Sequence, residues 1–190
     1  NGVSTGSIEK KMGIKGSATA VLNFDEAVAW RLGPKPQPKA AGAKGGSSDG
    51  MKGMFGMMNA ARLGVGVQGV AVAEVSYQNA VTYAKERLVG RALTGAKNPE
   101  KAADPLMVHP DVRRMLLLGR VAAEGGRSLA TYISFLLGVA QSKRPDAERQ
   151  EAADIADLLT PVIKAFCTDM GFEAANAAMQ CFGGHGYIRD

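Results

Sequence analysis

From Met51 onward, apolar residues recur at steps of three and four, and the pattern breaks only near Gly90 and at Pro145. That step is the signature of one apolar helix face. The first run carries Met54, Met57, Met58, Ala61, Val65, Val72 and Val75. It predicts a helix from Met51 to about Leu88, roughly 50 Å long at the usual rise per residue. Gly64, Gly66 and Gly69 lower its propensity, so another helix or a ligand is expected to come close there. Residues 91–108, with Gly95, Pro99 and Pro105, read as a loop. A second helix is expected to start at His109-Pro110-Asp111, where a first-turn proline sacrifices no hydrogen bond. Its apolar positions are Val112, Met115, Leu116, Val121, Leu129, Ile133, Leu136 and Leu137, ending towards Gln141. The third starts between Ala147 and Glu151 and runs through Ile155, Leu158, Leu159, Ile163, Phe166 and Met170 to Met179. Pro161 inside it predicts a kink or a bent start. Three long helices with short connections predict a mainly α chain, an up-down bundle over 51–190.

The region ahead of the bundle has a different character. Residues 1–32 read as strands, with partial alternation from Ile14 to Phe24 and turn residues at Gly13 and Gly16. Two or three strands bury too little surface to stand alone, so they are expected to complete a larger sheet. Residues 33–50 are dominated by Pro, Gly, Ser and Lys and read as a flexible loop between the β and α parts. The chain opens on Asn1 with no visible leader and reads as a piece of something longer.

Composition narrows the functions. A hydrophobic content of 46% with 22% charged residues is ordinary for a globular protein, and no apolar run is long enough to span a membrane. Cys167 and Cys181 lack ligand spacing and His109 and His185 are the only histidines, which argues against zinc and for reduced core thiols. The net charge of +5 suits an anionic ligand, yet no basic stripe interleaved with aromatics points to nucleic acid. No P-loop, Rossmann fingerprint or Ser/His/Asp set is present.

The stretch Gln180-Cys181-Phe182-Gly183-Gly184-His185-Gly186-Tyr187 closes the third helix. One glycine there would be a helix cap; three in four residues let a cofactor or neighbouring chain approach the backbone. His185 stands between glycines in what reads as a strained turn. Arg62, next to the apolar face of the first helix, is either a solvated arginine or a clamp for phosphate or carboxylate. Arg87, at that helix's C-terminal end, either complements the helix dipole or binds an anion. The methionines at 51, 54, 57 and 58 read as core filler, and His109 as part of a helix start.

Taken in order, these segments resemble the acyl-CoA dehydrogenase family. Lys11–Thr19 followed by Leu22-Asn23-Phe24-Asp25 looks like the end of the family's middle β-domain, and Asn59–Gly66 like the first helix of its C-terminal helical domain. Tyr83-Ala84-Lys85-Glu86-Arg87 resembles the family's "YA-x-ER" helix end, and Gln180–Tyr187 its "Q-x-(F/L)-GG-x-G-Y" signature. The segments Leu88–Gly95, His109–Leu116 and Gly183–Arg189 look like the longer bacterial members, a subgroup that includes the 3-methylmercaptopropionyl-CoA dehydrogenases. The resemblance implies α,β-dehydrogenation of an acyl-CoA thioester, 3-methylmercaptopropionyl-CoA or a fatty acyl-CoA. A Glu removes the α-proton, the β-hydride passes to FAD, and electrons leave through electron-transfer flavoprotein. By position, Arg87, Gln180, Gly183 and Gly184 would meet FAD across a subunit interface, while Arg62 and Tyr187 would lie near the acyl-CoA. A cytoplasmic homodimer or homotetramer is implied as well.

The departures from the family pattern matter. Where relatives read "ER-x-Q-F-G", this chain has Glu86-Arg87-Leu88-Val89-Gly90, so the polar and aromatic flavin neighbours are missing at Val89 and Gly90. The loop at 33–50 is longer and more basic than the family's usual turn there. Most members carry the catalytic Glu in a "YEGT" segment after the glycine signature, and others on the first helix, where this chain has Ala61. The base is therefore expected beyond Asp190, with no catalytic residue inside the chain. Two alternatives stay open: a non-catalytic helical assembly module of the same fold, and an acyl-CoA oxidase.

Overall fold

The computed structural model describes residues 2–30 and 49–189. The chain divides into two compact units, the first ending at Ser48 and the second beginning at Asp49. In the first, β1 (Val3–Ile8) pairs antiparallel with β2 (Ala20–Phe24), Val3 opposite Phe24 and Ile8 opposite Ala20, with a bulge between Thr5 and Ser7. The strand expected from Ile14 begins only at Ala20: Ile14 has φ +51°, a left-handed conformation that a strand cannot contain and that is costly for a β-branched residue. Every residue of both strands is exposed, Val3, Leu22 and Phe24 included, as a two-stranded pairing by itself buries little surface.

The second unit is built on α1 (Asp49–Glu86), α2 (Pro110–Ala140) and α3 (Asp146–Cys181). The helix α1 takes in Asp49 and Gly50; the rest of the segment read as a loop at 33–50 lies outside the described residues. Pro110 occupies the first turn of α2, and α3 continues through an exposed Pro161 without a break. Gly66 meets Ile163, Gly69 meets Cys167 and Tyr83 meets Phe182, so α1 and α3 run parallel. Val70 faces Gly126 and Tyr77 faces Gly119, so α2 runs antiparallel to α1. This is the expected up-down order.

The buried faces differ from those expected. On α1 the core positions are Gly66, Gly69, Val70, Ala73, Ala80 and Ala84, whereas Met54, Met57, Ala61, Val72 and Val75 are exposed. On α3 the seam is Ala152, Ala156, Thr160, Ile163, Cys167, Gly171, Ala174, Ala178 and Cys181, with Leu158 and Phe166 outside it; Val121 of α2 is likewise exposed. The cause is steric. Small residues let two backbones approach closely, and the packing follows the alanine and glycine stripe rather than the largest side chains. A Cβ on Gly69 would stand 2.2 Å from the Cys167 carbonyl oxygen, and one on Gly171 would stand 2.6 Å from the Gly69 carbonyl oxygen. The largest fully buried apolar side chains are Ile133 and Ile163. Burial of each contributes about 2 kcal/mol. The buried Thr160 satisfies its hydroxyl by donating to the Ala156 carbonyl at 2.6 Å. Both cysteines are free and buried, and burial pushes both thiols above the usual range.

Candidate functional site

Because α1 and α3 are parallel, their C-terminal ends lie at the same end of the bundle. The Tyr83 ring packs on Phe182 with centroids 4.6 Å apart, and its hydroxyl stands 3.2 Å from Nδ1 of His185. After Cys181 the chain makes a short 3₁₀ turn, Gly183–Tyr187, stitched by Phe182 N–H to the Met179 carbonyl and Ile188 N–H to the His185 carbonyl. The Gln180 amide donates to the Tyr187 hydroxyl, so two residues singled out from the sequence do meet.

The three glycines of this turn stand in different surroundings. Gly183 has φ +58°, a conformation that a side chain resists. Gly186 lies so close to α3 that a Cβ would stand 2.4 Å from the Met179 carbonyl oxygen. Gly184 has neither a positive φ nor any atom within 4 Å of the Cβ position. A helix cap accounts for Gly183 and packing for Gly186, but nothing within the described residues accounts for Gly184.

Arg87 follows α1 directly, at this same end of the bundle. Its N–H donates to Tyr83 and its carbonyl accepts from Leu106 N–H at 2.7 Å, so its backbone is fixed on both sides. Its side chain is exposed and makes no hydrogen bond or ion pair among the described residues. Between the two helix ends lies a groove of about 650 Å³, lined by Asn79, Thr82, Tyr83, Glu86, Phe182 and His185 among others. Lys85, in the last turn of α1, and Arg87 just after it sit where α1 presents unpaired carbonyls, which favours cations.

Arg62 lies elsewhere. It is half-buried about a third of the way along α1, donates to Asn59 at 3.2 Å, and Asn59 in turn donates to Asp157 of α3 at 3.3 Å. The separation from Tyr83 along α1 is roughly 30 Å at the helical rise, so the fold does not bring Arg62 to Tyr187. His109 caps α2 by position, and its Nε2 donates to the Val89 carbonyl at 2.7 Å, a structural role in keeping with a helix start.

The loop between α1 and α2 holds a feature that the sequence reading missed. Asp104 is fully buried, and its carboxylate accepts from the N–H groups of Ala92 (2.9 Å), Lys97 (2.9 Å) and Asn98 (2.7 Å) and from Arg91 (3.2 Å). The bond from Ala92 N–H, with the others, outweighs desolvation and lowers its pKa to about 2. The available signal was a carboxylate closing a polar loop with turn residues at Gly95, Asn98 and Pro99. Among the described residues no cluster of His, Cys, Asp or Glu could hold a metal ion, and no helix is long and apolar enough to cross a membrane.

Comparison with known proteins decides the family. The model of the acyl-CoA dehydrogenase C-terminal domain matches residues 48–190. The chain belongs to the acyl-CoA dehydrogenase family. It is 40% identical over 184 residues to 3-methylmercaptopropionyl-CoA dehydrogenase of Ruegeria pomeroyi, covering 97% of this chain and 29% of that protein. It is 32% identical over 193 residues to a butyryl-CoA dehydrogenase of Syntrophomonas wolfei, covering 100% of this chain and 30% of the relative. The fold is similar to that of butyryl-CoA dehydrogenase from Megasphaera elsdenii, with a TM-score of 0.62 at 24% identity over 98% of this chain and 40% of that one. The chain thus spans about three tenths of the length of these curated acyl-CoA dehydrogenase relatives.

Proposed function

We propose that this chain is the C-terminal helical part, with the end of the preceding β-domain, of an FAD-dependent acyl-CoA dehydrogenase that introduces an α,β double bond into an acyl-CoA. The observation that carries the reading is the helix-end face, where an uncommitted Arg87 and an unexplained Gly184 occupy the same end of the bundle. The residues fit a dinucleotide. A guanidinium pairs with a diphosphate through charge-assisted bonds, and a glycine edge with open space admits a flat ligand against the backbone. Arg87 would hold the diphosphate, and Gln180, Gly183 and Gly184 would border the adenosine end, presented to the cofactor of a second copy in a homodimer or homotetramer. The flavin, when bound, supplies the two-electron acceptor.

The chain's own residues bind and orient. The Tyr83–Phe182–His185 contact locks the two helix ends together, so that Arg87 and Gly184 are held in fixed relation. Arg62 is assigned to the acyl-CoA side of its own subunit, and Tyr187, held by Gln180 at the far end of the bundle, to the acyl-CoA side of the second copy. Ala61, exposed on α1, has no proton-accepting group, so the base that takes the α-proton is assigned to residues outside 1–190. The substrate class follows the names of the relatives: a short acyl-CoA, 3-methylmercaptopropionyl-CoA or butyryl-CoA. Electron-transfer flavoprotein is the proposed acceptor, and the cytoplasm the proposed location.

The test is the flavin content of the full-length protein carrying Arg87→Ala. The variant is expected to purify folded but with its FAD largely lost; full flavin occupancy would remove Arg87 from the cofactor site.

A further inference from the structure

We infer that Asp104 is a positioning residue for Arg87, fixing the arginine through the loop that follows it. This rests on the proposed role of Arg87 in holding FAD. The geometry is continuous from one residue to the other. The strip after Arg87 pairs with the strip before α2: Leu106 N–H donates to the Arg87 carbonyl (2.7 Å), Val89 N–H to the Asp104 carbonyl (2.9 Å), and Asp104 N–H to the Gly90 carbonyl (2.9 Å). His109 closes the strip from the other side by donating to the Val89 carbonyl at 2.7 Å.

This strip is too short to persist on its backbone bonds alone, because an isolated two-stranded pairing in water is marginal. The Asp104 side chain supplies the missing constraint. Its carboxylate gathers the N–H groups of Ala92, Lys97 and Asn98, and Arg91 adds a guanidinium that also reaches the carbonyls of Asn98 and Lys101. Residues 91–98 are thereby wrapped around one fully buried anion, and the two strips are clamped at their open end. Without the clamp Arg87 keeps its α1 anchor through Tyr83 but loses the fixed partner on its carbonyl side. An arginine chosen for a diphosphate gains from being held in one orientation before the ligand arrives. Among the described residues no carboxylate is spent on Arg87 itself, which leaves its guanidinium free for the ligand.

The experiment is a double-mutant cycle in the full-length holoprotein, reading the rate of FAD release by the rise in flavin fluorescence after dilution. Arg87→Ala sets the reference and is expected to release FAD at least about tenfold faster, the worth of one charge-assisted bond. Asp104→Asn keeps the size but turns an amide N–H₂ towards backbone donors, and should accelerate release several-fold. Arg91→Ala, which removes one outer partner, should do so to a smaller degree and serves where Asp104→Asn fails to fold. The decisive readout is coupling. If Asp104 acts through Arg87, neither clamp variant speeds release further once Arg87→Ala is present. Clamp variants that leave the rate unchanged, or whose effects multiply fully with Arg87→Ala, overturn the inference. Unchanged release by Arg87→Ala itself overturns the cofactor reading, and with it this one.

Discussion

Substituting Gly69 by alanine tests how the bundle is held together. A Cβ there would stand 2.2 Å from the Cys167 carbonyl oxygen, 2.5 Å from its carbonyl carbon and 2.9 Å from Thr168 N. All three are backbone atoms, so no side chain can rotate away. Relief requires α1 to retreat from α3 by more than an ångström, loosening Val70 and Ala73 from Ile163, Cys167 and Ala174. Overpacking of this kind costs about 3 kcal/mol at the upper end of its usual range. The gain in helix propensity from Gly to Ala offsets about 1 kcal/mol. The net expectation is a loss of about 2 kcal/mol. Gly64→Ala, earlier on α1 with no neighbouring element within 4 Å of its Cβ position, should show only the propensity gain of up to about 1 kcal/mol. Equilibrium urea unfolding followed by circular dichroism reads both. Opposite signs are expected; two variants of equal stability would refute the claim that backbone contact at Gly69 sets the α1–α3 distance.

Ile163→Ala removes most of a fully buried side chain at the centre of the seam and should cost about 3 kcal/mol, measured by the same unfolding; a change below about 1 kcal/mol would contradict its burial. Asp104 ionises at about 2 in the folded state against 3.8 ordinarily, so its stabilisation is complete above about pH 4 and is lost as the pH falls towards 2. Asp104→Asn should therefore flatten the fall in melting temperature across that acid window, and a curve parallel to that of the native protein would sink the assignment. Gly184→Val should leave folding intact, since the Cβ position is open, while flavin content drops; a fully flavinated variant would reduce the glycine to a helix terminus.

The three helices were legible because their stops are chemical. Gly90, Pro110 and Pro145 interrupt an otherwise continuous period, and the observed ends fall within a few residues of those positions. The buried faces were less legible. A reading weighted by side-chain size favours Val72, Val75, Leu158 and Phe166, yet the seam follows Gly66, Gly69, Ala73, Gly171 and Ala174. Small residues give little periodic signal even where they decide the packing. In the hairpin the partial alternation extended the strand to Ile14, whose positive φ is set by a turn that hydrophobic patterning does not encode. That Gln180–Tyr187 ends a helix was readable, because glycine stops helices. That Gly183 needs a positive φ, Gly186 needs room against α3 and Gly184 needs neither depends on dihedral angles and neighbours. Asp104 was invisible for a related reason: its partners Ala92, Lys97 and Asn98 contribute backbone N–H groups, which carry no residue signature.

The most direct test of the proposed activity is the visible spectrum of the full-length protein under nitrogen, before and after addition of 3-methylmercaptopropionyl-CoA and butyryl-CoA. The account predicts a yellow protein whose flavin band bleaches with one of these thioesters and recovers slowly in air, with electron-transfer flavoprotein restoring it faster. Rapid recovery in air alone would identify an oxidase instead. A colourless protein, or a flavin that no acyl-CoA bleaches, would contradict the dehydrogenase assignment and leave the helical bundle an assembly module.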